Sequence, residues 1–280
     1  MAEMDVKLGI CDRCLPGTGY FSLELASEAG LDGISLEFGP AAKGFPLSLR
    51  RVQDAFLEKK KLYGIDFCNI TMSAFDLIPF PVHRGHACYD IVRVALKDAV
   101  SAAAHMGIPL VMVPTFNASA VADEDRFRNA VDMFRYICAV ARDKGVKIAS
   151  ESVMPPERQI RLCEEVGCDN FGLFYDNDNF FYEKGWNPVS VLEALYDFLL
   201  PQIHVKDGRR GVLAGSLLGE GEAGFREVIA YLEKRDFKGW IIIENLYEEL
   251  PLRLLNKNVW QTCRKDVEIL KKAVKRGKTK

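Results

Sequence analysis

The chain is expected to fold as an α/β protein, a single (β/α)8 barrel of the TIM type, and three features of the sequence predict it. Short apolar runs alternate with longer amphipathic stretches along the chain. Four residues that bind hard metals each close one such run: Glu151 in GVKIASE, Asp176 in FGLFYD, His204 in LLPQIH and Glu244 in GWIIIE. No GxGxxG follows the first run, so the competing open sheet with a dinucleotide site lacks its usual support.

The elements follow in order. KLGIC, GISLEF, GIDFCNI, IPLVMV, VKIASE, FGLFYD, QIHVK and WIIIE are rich in β-branched and aromatic residues and read as eight strands. Between them SLELASEAG, LRRVQDAFLEKKKLYG, YDIVRVALKDAVSAAAHMG, DRFRNAVDMFRYICAVARDKG and FREVIAYLEKRDFKG place apolar residues at helical spacing. Each of these stretches ends on glycine, as helix caps commonly do. Right-handed crossovers put the helices outside a parallel sheet, and eight such units close most naturally into a barrel. No Pro/Gly/Ser-rich linker divides the chain, so residues 1–280 are expected to form one domain. Within it, residues from about 250 to 280 supply a C-terminal helical segment, or a pair of them, and the charged tail KRGKTK.

Composition narrows the function. With 280 residues and 49% hydrophobic content, one barrel with a large core fits the chain. A net charge of −2 gives no general field for a polyanion, which argues against nucleic acid as a partner. No apolar stretch is long enough to span a bilayer, and MAEMDVKLGIC lacks the features of a secretory signal. Eight dispersed cysteines fit free thiols in a reducing compartment, so a cytoplasmic location is expected.

In a barrel of parallel strands the carboxyl ends all open onto one face, so ligands scattered through the sequence converge there. Two glutamates, an aspartate and a histidine supply mainly oxygen ligands, a set suited to Mn2+ or Mg2+, with Co2+ or Zn2+ as alternatives. About two positions of an octahedral shell would remain for adjacent hydroxyl and carbonyl oxygens of a sugar-like substrate. Carbonyl polarisation would acidify the neighbouring C–H and stabilise an enediolate. Glu151 and Glu244, from the fifth and eighth strands, would address opposite faces of the substrate as an acid/base pair.

At these residues the chain resembles the xylose isomerase-like barrel superfamily, especially its sugar phosphate isomerase and epimerase branch, which includes ketose 3-epimerases and hydroxypyruvate isomerases. SLEFG at the second strand, IASES, LFYDNDN, IHVKDG, LGEGEAGFREVIAYL and IIIEN carry the likeness across nearly the whole chain. It implies that Glu151, Asp176, His204 and Glu244 bind the metal and that the two glutamates are also catalytic. It further implies that Glu157 and Arg210, each six residues beyond a ligand, hold substrate hydroxyls. One position departs: many members have histidine three residues after the aspartate, whereas here it is Asn179, which can donate to a substrate oxygen but cannot titrate near neutral pH.

Lys206 lies on the same strand face as His204 and is placed with the substrate-binding residues, an ion pair to a barrel carboxylate being the alternative. Glu37 reads as polar lining. Cys11-Asp-Arg-Cys14 is a CxxC without the second ligand pair of a structural zinc, so its thiols are expected to line the pocket mouth. His83 and His86 read as a solvated pair before a helix, His105 as a partner for helix-end carbonyls. LGEGEAG lacks the lysine and hydroxyl of a phosphate-binding P-loop.

The expected function is therefore a divalent-metal-dependent isomerase or epimerase of a small sugar or polyol. The same scaffold also admits a dehydratase of the inosose or dehydroshikimate type, in which the enolate expels a β-hydroxyl as water. An endonuclease resembling endonuclease IV needs many histidine ligands, and this chain has four histidines in all. A homo-oligomer is left open.

Overall fold

The computed structural model describes residues 4–17, 19–256 and 258–274, so the basic tail at 275–280 lies outside the described residues. Eight parallel strands close a barrel: β1 (Val6–Cys11), β2 (Gly33–Glu37), β3 (Asp66–Thr71), β4 (Leu110–Pro114), β5 (Lys147–Glu151), β6 (Phe171–Asp176), β7 (Leu199–Val205) and β10 (Gly239–Ile243). The order around the wall is β1-β10-β7-β6-β5-β4-β3-β2, so β6 and β7 lie between β5 and β10. Each expected strand is present within a few residues. An antiparallel hairpin, β8 (Asp207–Arg209) and β9 (Val212–Ser216), is inserted after β7, and the sequence reading did not anticipate it.

The five expected helices are α1 (Tyr20–Glu28), α2 (Arg50–Tyr63), α3 (Tyr89–Met106), α4 (Glu124–Arg142) and α8 (Phe225–Lys234). Gly64 and Gly107 cap α2 and α3 in the left-handed conformation that glycine adopts without a Cβ clash. Gly239 does not: α8 stops at Lys234, and Gly239 opens β10, where a Cβ would run into the Pro201 carbonyl. Three further helices fill the stretch around the sixth strand: α5 (Pro156–Val166), α6 (Asn177–Lys184) and α7 (Pro188–Leu195). Two begin on proline, whose missing N–H costs nothing in a first turn. Beyond Glu244 the chain forms the short α9 (Leu252–Leu255) and then α10 (Val259–Ala273), the pair of helical segments expected there.

Register brings the strand ends to a common height. Asp176 is paired directly with His204, which is paired in turn with Ile242. Glu244 falls one residue past β10, yet its amide still donates to the Val205 carbonyl at 3.0 Å, so the ladder extends to include it. Below this level lies a polar layer that satisfies itself. Ser35 Oγ donates to Asn69 Oδ1 at 2.6 Å, Asn69 Nδ2 to Gln202 Oε1 at 2.9 Å, and Gln202 Nε2 to the Cys68 carbonyl at 2.8 Å. Buried amides paired in this way define the floor of the site without leaving an orphaned donor there.

Candidate metal centre

Asp176 is the pivot. It ends β6 and is also the N-cap of α6: its Oδ1 accepts the amides of Asp178 at 2.9 Å and Asn179 at 2.8 Å. Capping fixes the carboxylate's orientation and leaves Oδ2 turned into the barrel mouth. There Oδ2 is buried without a hydrogen bond of proper geometry, although the Lys206 ammonium stands 3.1 Å away. Such an oxygen needs a partner, and a cation suits it.

The other three predicted ligands surround it. His204 Nδ1 is 3.2 Å from Glu151 Oε1, 3.4 Å from Glu244 Oε2 and 3.9 Å from Asp176 Oδ2. One ligand atom from each of the four residues lies within 4.8 Å of all the others, and all four residues are buried. Separations of this size are those that ligand atoms span around one ion at bond lengths of about 2.1 Å. The residues fit a divalent metal, and Glu151, Asp176, His204 and Glu244 would hold it.

The charges perturb one another accordingly. Burial pushes Asp176 up to about 7, with Lys206 opposing. Burial also works against ionisation of Glu244, yet His204, Lys206 and Arg13 together hold it well below the usual carboxylate range. For His204 burial would lower the pKa, and the Glu244 and Glu151 carboxylates reverse this and raise it. Lys206 Nζ shares itself between Asp176 and Glu244, and its shorter contact, 2.6 Å, is to Glu244 Oε2. The ammonium is held charged despite its burial by Asp176, Glu244 and Glu151.

The remaining predicted residues divide. Asn179 is buried and donates from Nδ2 to Glu151 Oε1 at 3.2 Å, so it steadies one of the two glutamates. Glu157 is exposed in the first turn of α5, and Arg210 is exposed in the hairpin turn, where its amide donates to Glu222 Oε2 at 3.3 Å. Neither is buried with the quartet. Of the four histidines His204 alone joins it. His83 and His86 each accept a backbone amide of their own loop, from Gly85 and Cys88. His105 departs from expectation: its Nε2 lies 2.6 Å from Asp54 Oδ1 on the neighbouring helix rather than on helix-end carbonyls.

Arg13 escaped the sequence reading, and Cys11, expected only as lining of the pocket mouth, touches two of the quartet. Arg13 Nη2 bonds Glu244 Oε1 at 2.5 Å and its Nε sits 3.7 Å from Glu37 Oε1, so a guanidinium from the loop after β1 leans over the centre. Cys11 turns inward at the end of β1, its Sγ 3.4 Å from His204 Nε2 and 3.9 Å from Glu244 Oε1. The signal was strand alternation together with the charge inside CDRC, a segment weighed only for its two thiols. Cys14 is buried and its thiol is free, so Cys11 and Cys14 form no disulfide.

A parallel barrel whose strand ends gather three buried carboxylates and an imidazole defines a class of protein whose barrel mouth could hold a divalent cation. Residues 23–273 match the model of the xylose isomerase-like TIM barrel family, and the chain belongs to that family. It is 29% identical over 236 residues to 2-epi-5-epi-valiolone 7-phosphate 2-epimerase of Actinoplanes sp., covering 82% of this chain and 83% of that one. It is 24% identical over 273 residues to inosose dehydratase 2 of Bacillus cereus, covering 86% and 90%. Among solved structures, the IOLI protein with a bound zinc atom superposes with a TM-score of 0.74 at 17% identity, over 95% of this chain and 99% of that one. Related proteins are thus epimerases and dehydratases on one scaffold.

Proposed function

We propose that this protein is a divalent-metal-dependent isomerase or epimerase of a small ketose or related hydroxy-carbonyl compound, with Glu151 and Glu244 as its acid/base pair. The observation that carries the reading is the convergence of the four buried side chains on one cation-sized space. A bound divalent cation would supply positive charge against the oxyanion that develops when a proton leaves the carbon beside a carbonyl. Mn2+ or Mg2+ suits three carboxylates and one imidazole best, and zinc accords with the metal bound by the IOLI protein.

The chain's own groups would do the rest. Glu151 and Glu244 enter from strands three places apart and would flank the substrate position, so one can take a proton and the other return one. Asn179 fixes Glu151, and Arg13 and Lys206 fix Glu244, which restricts each carboxylate to one direction of transfer. Glu157, in the first turn of α5 after β5, and Arg210, in the hairpin turn after β7, are assigned to substrate hydroxyls, and Lys206 to a substrate oxygen beside Glu244.

Incubating the protein with candidate ketoses and polyol-derived ketones in deuterated water, with Mn2+ and with chelator, tests this. Metal-dependent incorporation of deuterium with retained mass balance is the expected result. Loss of water with new ultraviolet absorbance would favour the dehydratase reading, which the Bacillus cereus relative supports. Turnover unaffected by Glu151→Gln and Glu244→Gln would remove the acid/base assignment.

A further inference from the structure

The geometry points to Cys11 as the residue that sets the tautomer of His204, so that Nδ1 presents its lone pair to the metal position. This rests on the metal-centre reading above but concerns a residue that stands outside the ligand set.

A neutral imidazole carries one hydrogen, and a metal-binding nitrogen must be the one without it. Nδ1 faces the cluster, within 3.4 Å of Glu151 Oε1 and Glu244 Oε2, so with a cation on Nδ1 the hydrogen belongs on Nε2. The imidazole is fully buried, with the Phe174 ring edge-on at 4.5 Å between centroids, so bulk water does not reach Nε2. What stands opposite Nε2 is Cys11 Sγ at 3.4 Å. The sulfur accepts the Nε2 hydrogen, and the thiol hydrogen is then free to point at Glu244 Oε1, 3.9 Å away. Cys11 thereby ties two ligands from β7 and β10 together from the side away from the cation. Without it, Nε2–H would lose the acceptor it has there, and the balance would shift further toward the hydrogen on Nδ1, where Glu151 and Glu244 both accept it. That tautomer cannot bind metal. Cys11 is a positioning residue, of the kind whose loss commonly lowers metal affinity about 10- to 100-fold.

The test uses the full chain and Mn2+ as probe. Calorimetric titration of Cys11→Ala is expected to give Mn2+ binding weaker by about 10- to 100-fold. Cys11→Ser, which keeps an acceptor, should recover most of that loss. Cys263→Ala, which removes a buried thiol on α10, should leave affinity unchanged even if it lowers the unfolding temperature as much. In parallel, 15N-histidine spectra of the metal-free protein at alkaline pH should show a larger share of the Nε2–H tautomer of His204 in the parent and in Cys11→Ser than in Cys11→Ala. Parental affinity in Cys11→Ala, equal loss in the alanine and serine variants, or an unchanged tautomer in Cys11→Ala would each overturn the inference. Should the parent itself take up no divalent ion, the metal reading fails, and the spectra alone decide the role of Cys11.

Discussion

Lys206 is the residue on which the charge of the centre turns. Three carboxylates gathered in a buried space repel one another, and Lys206 with Arg13 supplies the compensating positive charge within the chain itself. The ammonium touches the same oxygens of Asp176 and Glu244 that would bind a metal, so it both stabilises the metal-free quartet and opposes a divalent ion placed beside it. Two unit charges of like sign about 4 Å apart repel by about 4 kcal/mol at an effective dielectric constant near 20. Lys206→Met should therefore tighten Mn2+ binding by about tenfold or more, while destabilising the metal-free protein by about 3 kcal/mol through the carboxylates it leaves unpaired. Calorimetric titration and urea unfolding in chelator read the two effects. Weaker metal binding in this variant would count against the competition and favour a Lys206 that acts on substrate alone.

At the scale of elements, several motifs that carried the family likeness turn out to be architectural. The Asp207 carboxylate accepts four amides, from Gly208 at 3.1 Å, Gly219 at 2.7 Å, Gly221 at 3.1 Å and Ala223 at 3.0 Å, and so pins LGEGEAG beside the hairpin. Gly221 has no room for a side chain, because a Cβ would meet the Asp207 carboxylate and the Gly208 carbonyl. Asp207→Ala, which strands these amides, should cost about 3 kcal/mol in urea unfolding, and Gly221→Ala should be comparably damaging. Either variant at parental stability would show that the clamp is dispensable. Asp266 on α10 plays a similar part, accepting from the Leu218 amide, Asn245 Nδ2 and the Tyr247 hydroxyl. Burial lifts Asp266 to about 6, above the ordinary value of about 3.9. The folded protein thus holds this proton more tightly, and the stability it contributes is present below about pH 4 and lost as pH rises toward about 6. The stability difference between parent and Asp266→Asn should fall by about 3 kcal/mol across that window, and a flat difference would contradict the assignment. The strands and the clustering of the four strand-end residues were legible because period and strand-end chemistry are local signals. The hairpin, the Asp207 clamp and Arg13 were not, because each depends on which loop meets which across the closed barrel.

For the whole molecule, the consequence of this arrangement is that the metal position lies on the seam where distant parts of the chain meet. The residues that would hold it come from the ends of β5, β6, β7 and β10, and β10 is also the strand that closes the barrel against β1. In an unfolded chain these four side chains are separated by up to 93 residues of sequence and form no site, so a divalent ion held by them would bind the folded state alone. Linkage then sets the effect: a ligand present at about 100 times its dissociation constant stabilises by about 2.7 kcal/mol. For a chain of this size each kcal/mol moves the unfolding temperature by about 2–4 °C. Mn2+ at saturating concentration should therefore raise the unfolding temperature by about 5–10 °C over protein in chelator, by differential scanning calorimetry. Replacing Asp176 with Asn should abolish most of that rise. Its Oδ1 acceptor can persist as the amide oxygen and keep the cap on α6, so the loss would report the missing charge and ligand rather than a broken helix. An equal rise in parent and Asp176→Asn would place the bound metal elsewhere on the protein.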